Sequence, residues 1–118
     1  MTPFHSGTLR RAAITTLGCK INAYESALIA QKLQQDQWTV VSPKDTADLY
    51  VINSCTVTAE AGRQTRQEIR RAISRNPDAL VVVTGCYAEM EASACAKIPG
   101  VDLVVGNSEK LSIVEHVR

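Results

Sequence analysis

Two patterns of apolar and polar positions alternate along the chain. One is a short apolar run rich in β-branched residues, as in Ile14-Thr15-Thr16-Leu17, Trp38-Thr39-Val40-Val41, Leu49-Tyr50-Val51-Ile52, Leu80-Val81-Val82-Val83 and Val101-Asp102-Leu103-Val104-Val105. These runs predict strands over 11–17, 38–41, 48–53, 79–84 and 101–105. The other pattern recurs at helical spacing. Ser26, Ile29, Ala30 and Leu33 fall at i, i+3, i+4 and i+7, so a helix is predicted from Asn22, read as an N-cap with Glu25 three residues on, to about Asp36. Ala61, Thr65, Ile69, Ala72 and Ile73 form the buried face of a longer helix over 58–75, which Asn76-Pro77 stops because the residue before proline is pushed out of the α region. A third helix is predicted over 88–98, ended by Pro99-Gly100, and a fourth over about 109–117. Ser42-Pro43-Lys44-Asp45 reads as a turn.

Regular alternation of strand and helix favours an α/β, doubly wound architecture. The expected form is a five-stranded, mainly parallel sheet with helices on both faces. The unbroken valines of 81–83 suit a strand buried on both sides. The commonest arrangement of five such units is the flavodoxin-like order 2-1-3-4-5, in which the first and third strands are neighbours at the switch point where ligands bind. Because parallel strands point one way, every strand-to-helix loop leaves the same edge of the sheet.

That edge acquires a chemistry from the residues that end the runs. Leu17-Gly18-Cys19, Asn53-Ser54-Cys55 and Thr84-Gly85-Cys86 each close an apolar run and then present a thiol. Three convergent thiolates suit an iron-sulfur cluster, whose usual ligand is cysteine sulfur, and Gly18 and Gly85 suit a close approach of backbone. A closed structural zinc site would want a fourth ligand, and no histidine lies in these loops. Any one of the cysteines alone would more often pack as a small buried hydrophobe, and an even count of four leaves a disulfide reading open. Cys95, inside a helix on an alanine-rich side, is expected to pack.

Composition narrows the picture further. At 118 residues the chain suits one domain, with residues 1–10 as a flexible tail and 11–118 as the folded unit. Apolar residues make up 45% and charged residues 21%, as in an ordinary globular protein, and a net charge of +1 gives no global pull towards polyanions. No apolar run suits a secretory signal or a spanning helix, so no membrane association is expected and the cytoplasm is the expected location. In that reducing compartment recurrent thiols are more often ligands or catalytic groups than disulfides. A local basic feature remains: Arg63, Arg66 and Arg70 share one side of the long helix, away from its apolar face. Such a stripe can contact nucleic-acid phosphates, or can be a solvated face paired with acidic neighbours. His116 near the end of the last helix complements its dipole.

The motifs Thr16-Leu17-Gly18-Cys19-Lys20-Ile21-Asn22-Ala23-Tyr24-Glu25-Ser26, Val51-Ile52-Asn53-Ser54-Cys55-Thr56-Val57-Thr58 and Val83-Thr84-Gly85-Cys86-Tyr87-Ala88 together resemble the N-terminal domain of the methylthiotransferase family of radical S-adenosylmethionine enzymes. The resemblance continues through Ile98-Pro99-Gly100-Val101-Asp102 and Val105-Gly106-Asn107. It implies that Cys19, Cys55 and Cys86 ligate an auxiliary 4Fe-4S cluster that carries or donates sulfur for methylthiolation. The form of the first motif, with Gly62-Arg63-Gln64-Thr65-Arg66-Gln67, looks most like the branch acting at C2 of N6-threonylcarbamoyladenosine beside the tRNA anticodon. The alternatives are the branches acting on isopentenyladenosine tRNA or on a ribosomal protein.

Enzymes of this family also carry a radical domain with a Cys-x-x-x-Cys-x-x-Cys motif, which binds a second 4Fe-4S cluster and S-adenosylmethionine, and an RNA-binding domain. With cysteines only at 19, 55, 86 and 95, no such motif can be drawn here. The chain is therefore expected to be one domain of a larger enzyme, inactive alone, with the radical domain and tRNA as its partners. A non-enzymatic flavodoxin-like binding module would place Ser, Thr, Gly or carboxylates where Cys19 and Cys55 stand. A thiol-redox protein would be favoured by a Cys-x-x-Cys pair, which the sequence lacks.

Overall fold

In the computed structural model, residues 10–17, 20–54, 59–85, 92–106 and 113 are described. The elements run β1 (Arg10–Thr16), α1 (Lys20–Gln35), β2 (Trp38–Val41), β3 (Leu49–Ser54), α2 (Ala59–Arg75), β4 (Leu80–Gly85), α3 (Ala92–Ala96) and β5 (Leu103–Val105). The strands form one sheet in the order β2-β1-β3-β4-β5, and every neighbouring pair is parallel. This is the doubly wound arrangement expected from the alternation of runs.

Each face of the sheet has its own core, set by the two-residue alternation of the strands. On one face Ala12, Leu49, Val51, Val82 and Val105 pack with Ile29 and Leu33 of α1, with Trp38 and with Ile113. On the other, Ala13, Tyr50, Ile52, Val81 and Val83 pack with Ile69 and Ala72 of α2, and Ile73 and Ile98 lie against them. The two helices occupy opposite faces because β1 crosses to β2 on one side and β3 to β4 on the other. With crossovers of one hand, the covering helix must change face where the strand order reverses. Burying an isoleucine or leucine such as Ile29 or Leu33 contributes about 1.5–3 kcal/mol, so each helix is held chiefly by its apolar stripe.

The amino-terminal edge of the sheet is tied by side chains that complete the ladder. Asp48 accepts from Arg11 N–H at 3.0 Å, and Asp102 accepts from Val81 N–H at 2.8 Å. The Tyr50 hydroxyl donates to Asp45 O at 2.8 Å and accepts from Ala47 N–H at 3.0 Å. After α2, the Asn76 carboxamide donates to Ala47 O at 2.8 Å, so the helix stops where Asn76-Pro77 predicts. The turn at Ser42–Asp45 is also present, closed by Asp45 N–H to Ser42 O at 2.9 Å.

Several boundaries differ from the sequence reading. Asn22 is not an N-cap: α1 starts at Lys20, since Lys20 and Ile21 contain no breaker and continue the helix backwards. Strand β1 begins at Arg10, paired with Trp38, whose ring lies 4.7 Å beneath the Arg10 guanidinium. Strands β3 and β4 run one residue further than their apolar runs, because Ser54 and Gly85 still pair. Helix α3 ends at Ala96, and Ile98, which precedes Pro99, turns in to the α2-side core. Strand β5 begins at Leu103, because the Asp102 carboxylate takes the ladder position at Val81. The start of the helix predicted over 88–98 lies outside the described residues. Of the helix predicted over 109–117 only Ile113 is described, helical and buried.

Candidate metal centre at the carboxyl edge of the sheet

The central strands end in register. Thr16 of β1, Asn53 of β3 and Thr84 of β4 stand side by side, and one step further Ser54 pairs with Gly85. Leu17 is fixed to the same edge by its N–H bond to Asn53 O at 3.0 Å. The chain thus leaves toward residues 19, 55 and 86 from three neighbouring points. Cys19, Cys55 and Cys86 themselves lie outside the described residues, as does Gly18. Cys95 lies within α3, and the packing predicted for it concerns a side chain outside the described set. Among the described residues, no group of three His, Cys, Asp or Glu side chains is gathered for a metal.

What the structure adds is a polar row beneath this edge that sequence reasoning did not single out. Along the α1-side face the strands present Ala12, Ile14, then Thr16; Leu49, Val51, then Asn53; and Val82, then Thr84. The apolar face therefore turns polar in its last row, at the edge from which the chain continues toward the three cysteines. Asn53 and Thr84 are fully buried. Ser26 reaches over from α1: its hydroxyl oxygen accepts from Thr16 Oγ1 at 2.7 Å and from Asn53 Nδ2 at 3.0 Å. This ties the first half of α1, which follows Cys19 in the chain, to the end of β3, which precedes Cys55. Ser54 Oγ donates to Thr84 O at 2.6 Å and ties β3 to β4 in the same way. The available signal was polarity at inward-facing strand positions, where a buried side chain needs a reason.

Gly85 is the point at which β4 turns out of the sheet. Its φ is +97°, and a Cβ there would lie 2.8 Å from Ser54 N, 2.9 Å from Asn53 Oδ1 and against Ser54 O. Only glycine combines that backbone conformation with that approach. The residue expected to end the strand is thus its last paired member, directly before Cys86 in the chain.

The arginine stripe is divided. Arg63 is exposed and grips Glu60 through Nη2 at 2.6 and 2.8 Å and Nε at 3.2 Å. Hydrogen bonding to Arg63, then its charge, holds the Glu60 carboxyl below the ordinary glutamate range, and the same contacts raise Arg63. Arg66 is half-buried and Arg70 exposed, and among the described residues neither makes an ion pair. Arg71, which points elsewhere, pairs with Glu68 at 2.5 Å. Among the described residues no helix is long and apolar enough to cross a membrane.

The comparisons with known proteins agree with this frame. A response regulator receiver domain protein (CheY-like) from Methanospirillum hungatei JF-1 shares the fold at a TM-score of 0.68, covering 93% of this chain and 91% of its own, with 13% identity. Likeness at that identity concerns the fold alone. The chain is 47% identical over 105 residues to a protein of Aquifex aeolicus named threonylcarbamoyladenosine tRNA methylthiotransferase MtaB, and 44% identical to one of that name in Bacillus subtilis. It is 36% identical to a tRNA-2-methylthio-N(6)-dimethylallyladenosine synthase of Desulfotalea psychrophila. These alignments cover 89%, 89% and 86% of the chain but 26%, 23% and 24% of the relatives, so the chain spans about a quarter of their length. Residues 11–106 match the family described as "Uncharacterized protein family UPF0004". The chain belongs to the UPF0004 family, and the resemblance to methylthiotransferases drawn from its three cysteine motifs holds.

Proposed function

We propose that this chain is the auxiliary cluster-binding domain of a tRNA methylthiotransferase, with Cys19, Cys55 and Cys86 as ligands of a 4Fe-4S cluster. The observation that carries this reading is the register of the three strand ends. Cys55 and Cys86 each follow a paired residue by one Cα step of about 3.8 Å, on strands about 4.8 Å apart. Cys19 is two residues beyond Leu17, whose N–H is bonded to β3. Chain connectivity therefore limits how far the three can separate, and the donor set of three thiols without histidine suits iron-sulfur ligation. Bound there, a cluster with three cysteine ligands would supply an iron without a protein ligand, at which the sulfur to be transferred can be held. The domain's own part is to hold three loops at one spacing: Ser26 braces the first against β3, and Ser54 with Gly85 braces the other two.

The substrate proposed is N6-threonylcarbamoyladenosine in tRNA, methylthiolated at C2, on the strength of the MtaB-named relatives and the first motif. The isopentenyladenosine branch is the second reading, supported by relatives such as that of Desulfotalea psychrophila at lower identity. Radical chemistry would require a second cluster and S-adenosylmethionine on a radical domain, with which this edge would face a shared substrate. Arg66 and Arg70, with Arg63, would position the tRNA through its phosphates. The test is anaerobic reconstitution with iron and sulfide. Cys19→Ala, Cys55→Ala and Cys86→Ala are each expected to lose most of the bound iron, and Cys95→Ala to keep it. Equal iron in all four variants would refute the ligand assignment.

A further inference from the structure

The polar row contains one group whose chemistry the fold leaves unused. Thr84 Oγ1 is buried, its residue is fully inaccessible, and it has no hydrogen-bond partner among the described residues. A buried hydroxyl without a partner is costly, and native proteins seldom keep one without a use. Its position is informative. Thr84 is the last residue of β4 before Gly85 turns the chain out toward Cys86, and its register partner Asn53 occupies the corresponding place one residue short of Ser54 and Cys55. A valine would fill the same space with the same branching at no polar cost, and the three residues before Thr84 are all valine. A hydroxyl at this one position, under the edge from which the chain continues toward the cysteines, is a buried donor bonded to no acceptor among the described residues.

We propose that Thr84 is a positioning residue whose hydroxyl donates a hydrogen bond to an anionic sulfur of the group bound at this edge, a ligating thiolate or a bridging sulfide, and thereby raises that group's reduction potential. This rests on the cluster reading above. A donor directed at cluster sulfur stabilises the more negative, reduced form, as hydrogen bonds to sulfur do in general. The Ser54 Oγ bond to Thr84 O at 2.6 Å and the ladder between Asn53 and Thr84 fix β4 against β3, so the Thr84 hydroxyl has a defined place relative to β3. The chain contributes no covalent step through Thr84; the hydroxyl keeps its proton throughout.

The test compares Thr84→Val, which removes the hydroxyl at constant shape, with Thr84→Ser, which keeps it. In the metal-free protein Thr84→Val is expected to melt at the same temperature as the unsubstituted protein or higher, since among the described residues the hydroxyl makes no bond that would be lost. After anaerobic reconstitution the cluster is reduced by one electron from dithionite through mediators. At a fixed potential the ratio of reduced to oxidised cluster is expected to fall about tenfold in Thr84→Val, a shift of about 59 mV downward for a one-electron couple, and Thr84→Ser is expected to restore most of it. Loading of Thr84→Ser but not of a folded Thr84→Val would also support the donor role. An unchanged potential in loaded Thr84→Val, a marked fall in the melting temperature of metal-free Thr84→Val, or failure of both variants to load while the unsubstituted protein does, overturns it. If the unsubstituted protein itself takes up no cluster, the cluster reading fails first and this role with it.

Discussion

Replacing Gly85 with alanine tests the geometry of the carboxyl edge where two independent costs coincide. The first is conformational: at φ +97° an L side chain is strained, at a cost of about 1–3 kcal/mol. The second is steric. The new Cβ would stand 2.8 Å from Ser54 N and 2.9 Å from Asn53 Oδ1, and press on Ser54 O as well. Those neighbours include backbone of the paired strand, which cannot rotate away, so overpacking adds about 1–3 kcal/mol. Together they come to about 2–6 kcal/mol, a large part of the 5–15 kcal/mol typical of a domain, and for this length a fall in Tm of about 8–25 °C. Gly100→Ala is the control. Its φ is +95°, but the obstacle is the Ile73 side chain, with Cγ1 at 2.9 Å and Cδ1 nearer, and that side chain can change rotamer. Only about 1–3 kcal/mol is expected there. The assay is thermal unfolding of the metal-free variants by circular dichroism, followed by reconstitution. Gly85→Ala is expected to melt lower than Gly100→Ala and to bind less iron, because the relaxation moves Ser54 and Gly85 apart beside Cys55 and Cys86. Equal melting temperatures for the two variants, or a Gly85→Ala within about 2 °C of the unsubstituted protein, would refute the reasoning.

Tyr50→Phe removes the hydroxyl that serves both Asp45 O and Ala47 N–H, leaving a buried amide without its acceptor, and is expected to cost about 1–3 kcal/mol by urea unfolding. Arg63→Gln is expected to move the titration of Glu60 upward, read by NMR of the side-chain carboxyl. The sign follows from the folded-state value being depressed: what the pair contributes is present above the unfolded pKa and is lost as the pH falls through the folded one. Both groups are exposed, so the change is expected in the titration and not in Tm. Arg66→Glu combined with Arg70→Glu is expected to weaken binding of the chain to a tRNA anticodon stem and to reduce the dependence of log K on log salt by about 2. Unchanged binding would make the stripe a solvated face.

The parallel order 2-1-3-4-5 was legible because the decisive signals are local and repeated. Runs such as 81–83 mark strands buried on both faces, and helical spacings such as Ser26, Ile29 and Leu33 mark which side of each helix turns inward. Boundaries were less legible where a tertiary partner extends or shortens an element. Gly85 punctuates the sequence, yet Ser54 pairs with it; Val101 and Asp102 look like strand, yet the Asp102 carboxylate replaces a ladder acceptor. The cysteines mark the proposed site in the sequence through their shared place after strand ends. The row of Thr16, Asn53 and Thr84 with Ser26 does not, because Ser26 lies 27 residues from Asn53 and the bond between them exists only once α1 has folded onto the sheet. The arginine stripe shows the same limit. Periodicity puts Arg63, Arg66 and Arg70 on one side, but only the side-chain geometry shows that Glu60 holds the first.

The claim that three cysteines, from three neighbouring strand ends, form one ligand set is tested most directly by Mössbauer spectroscopy of the chain reconstituted anaerobically with iron-57 and sulfide. The expected spectrum is that of a 4Fe-4S cluster whose irons divide three to one, the single iron changing its signal when an exogenous thiol is added, and disappearing with the rest of the cluster in Cys86→Ala. A spectrum with four equivalent thiolate-bound irons, or the absence of any cubane signal, would contradict it.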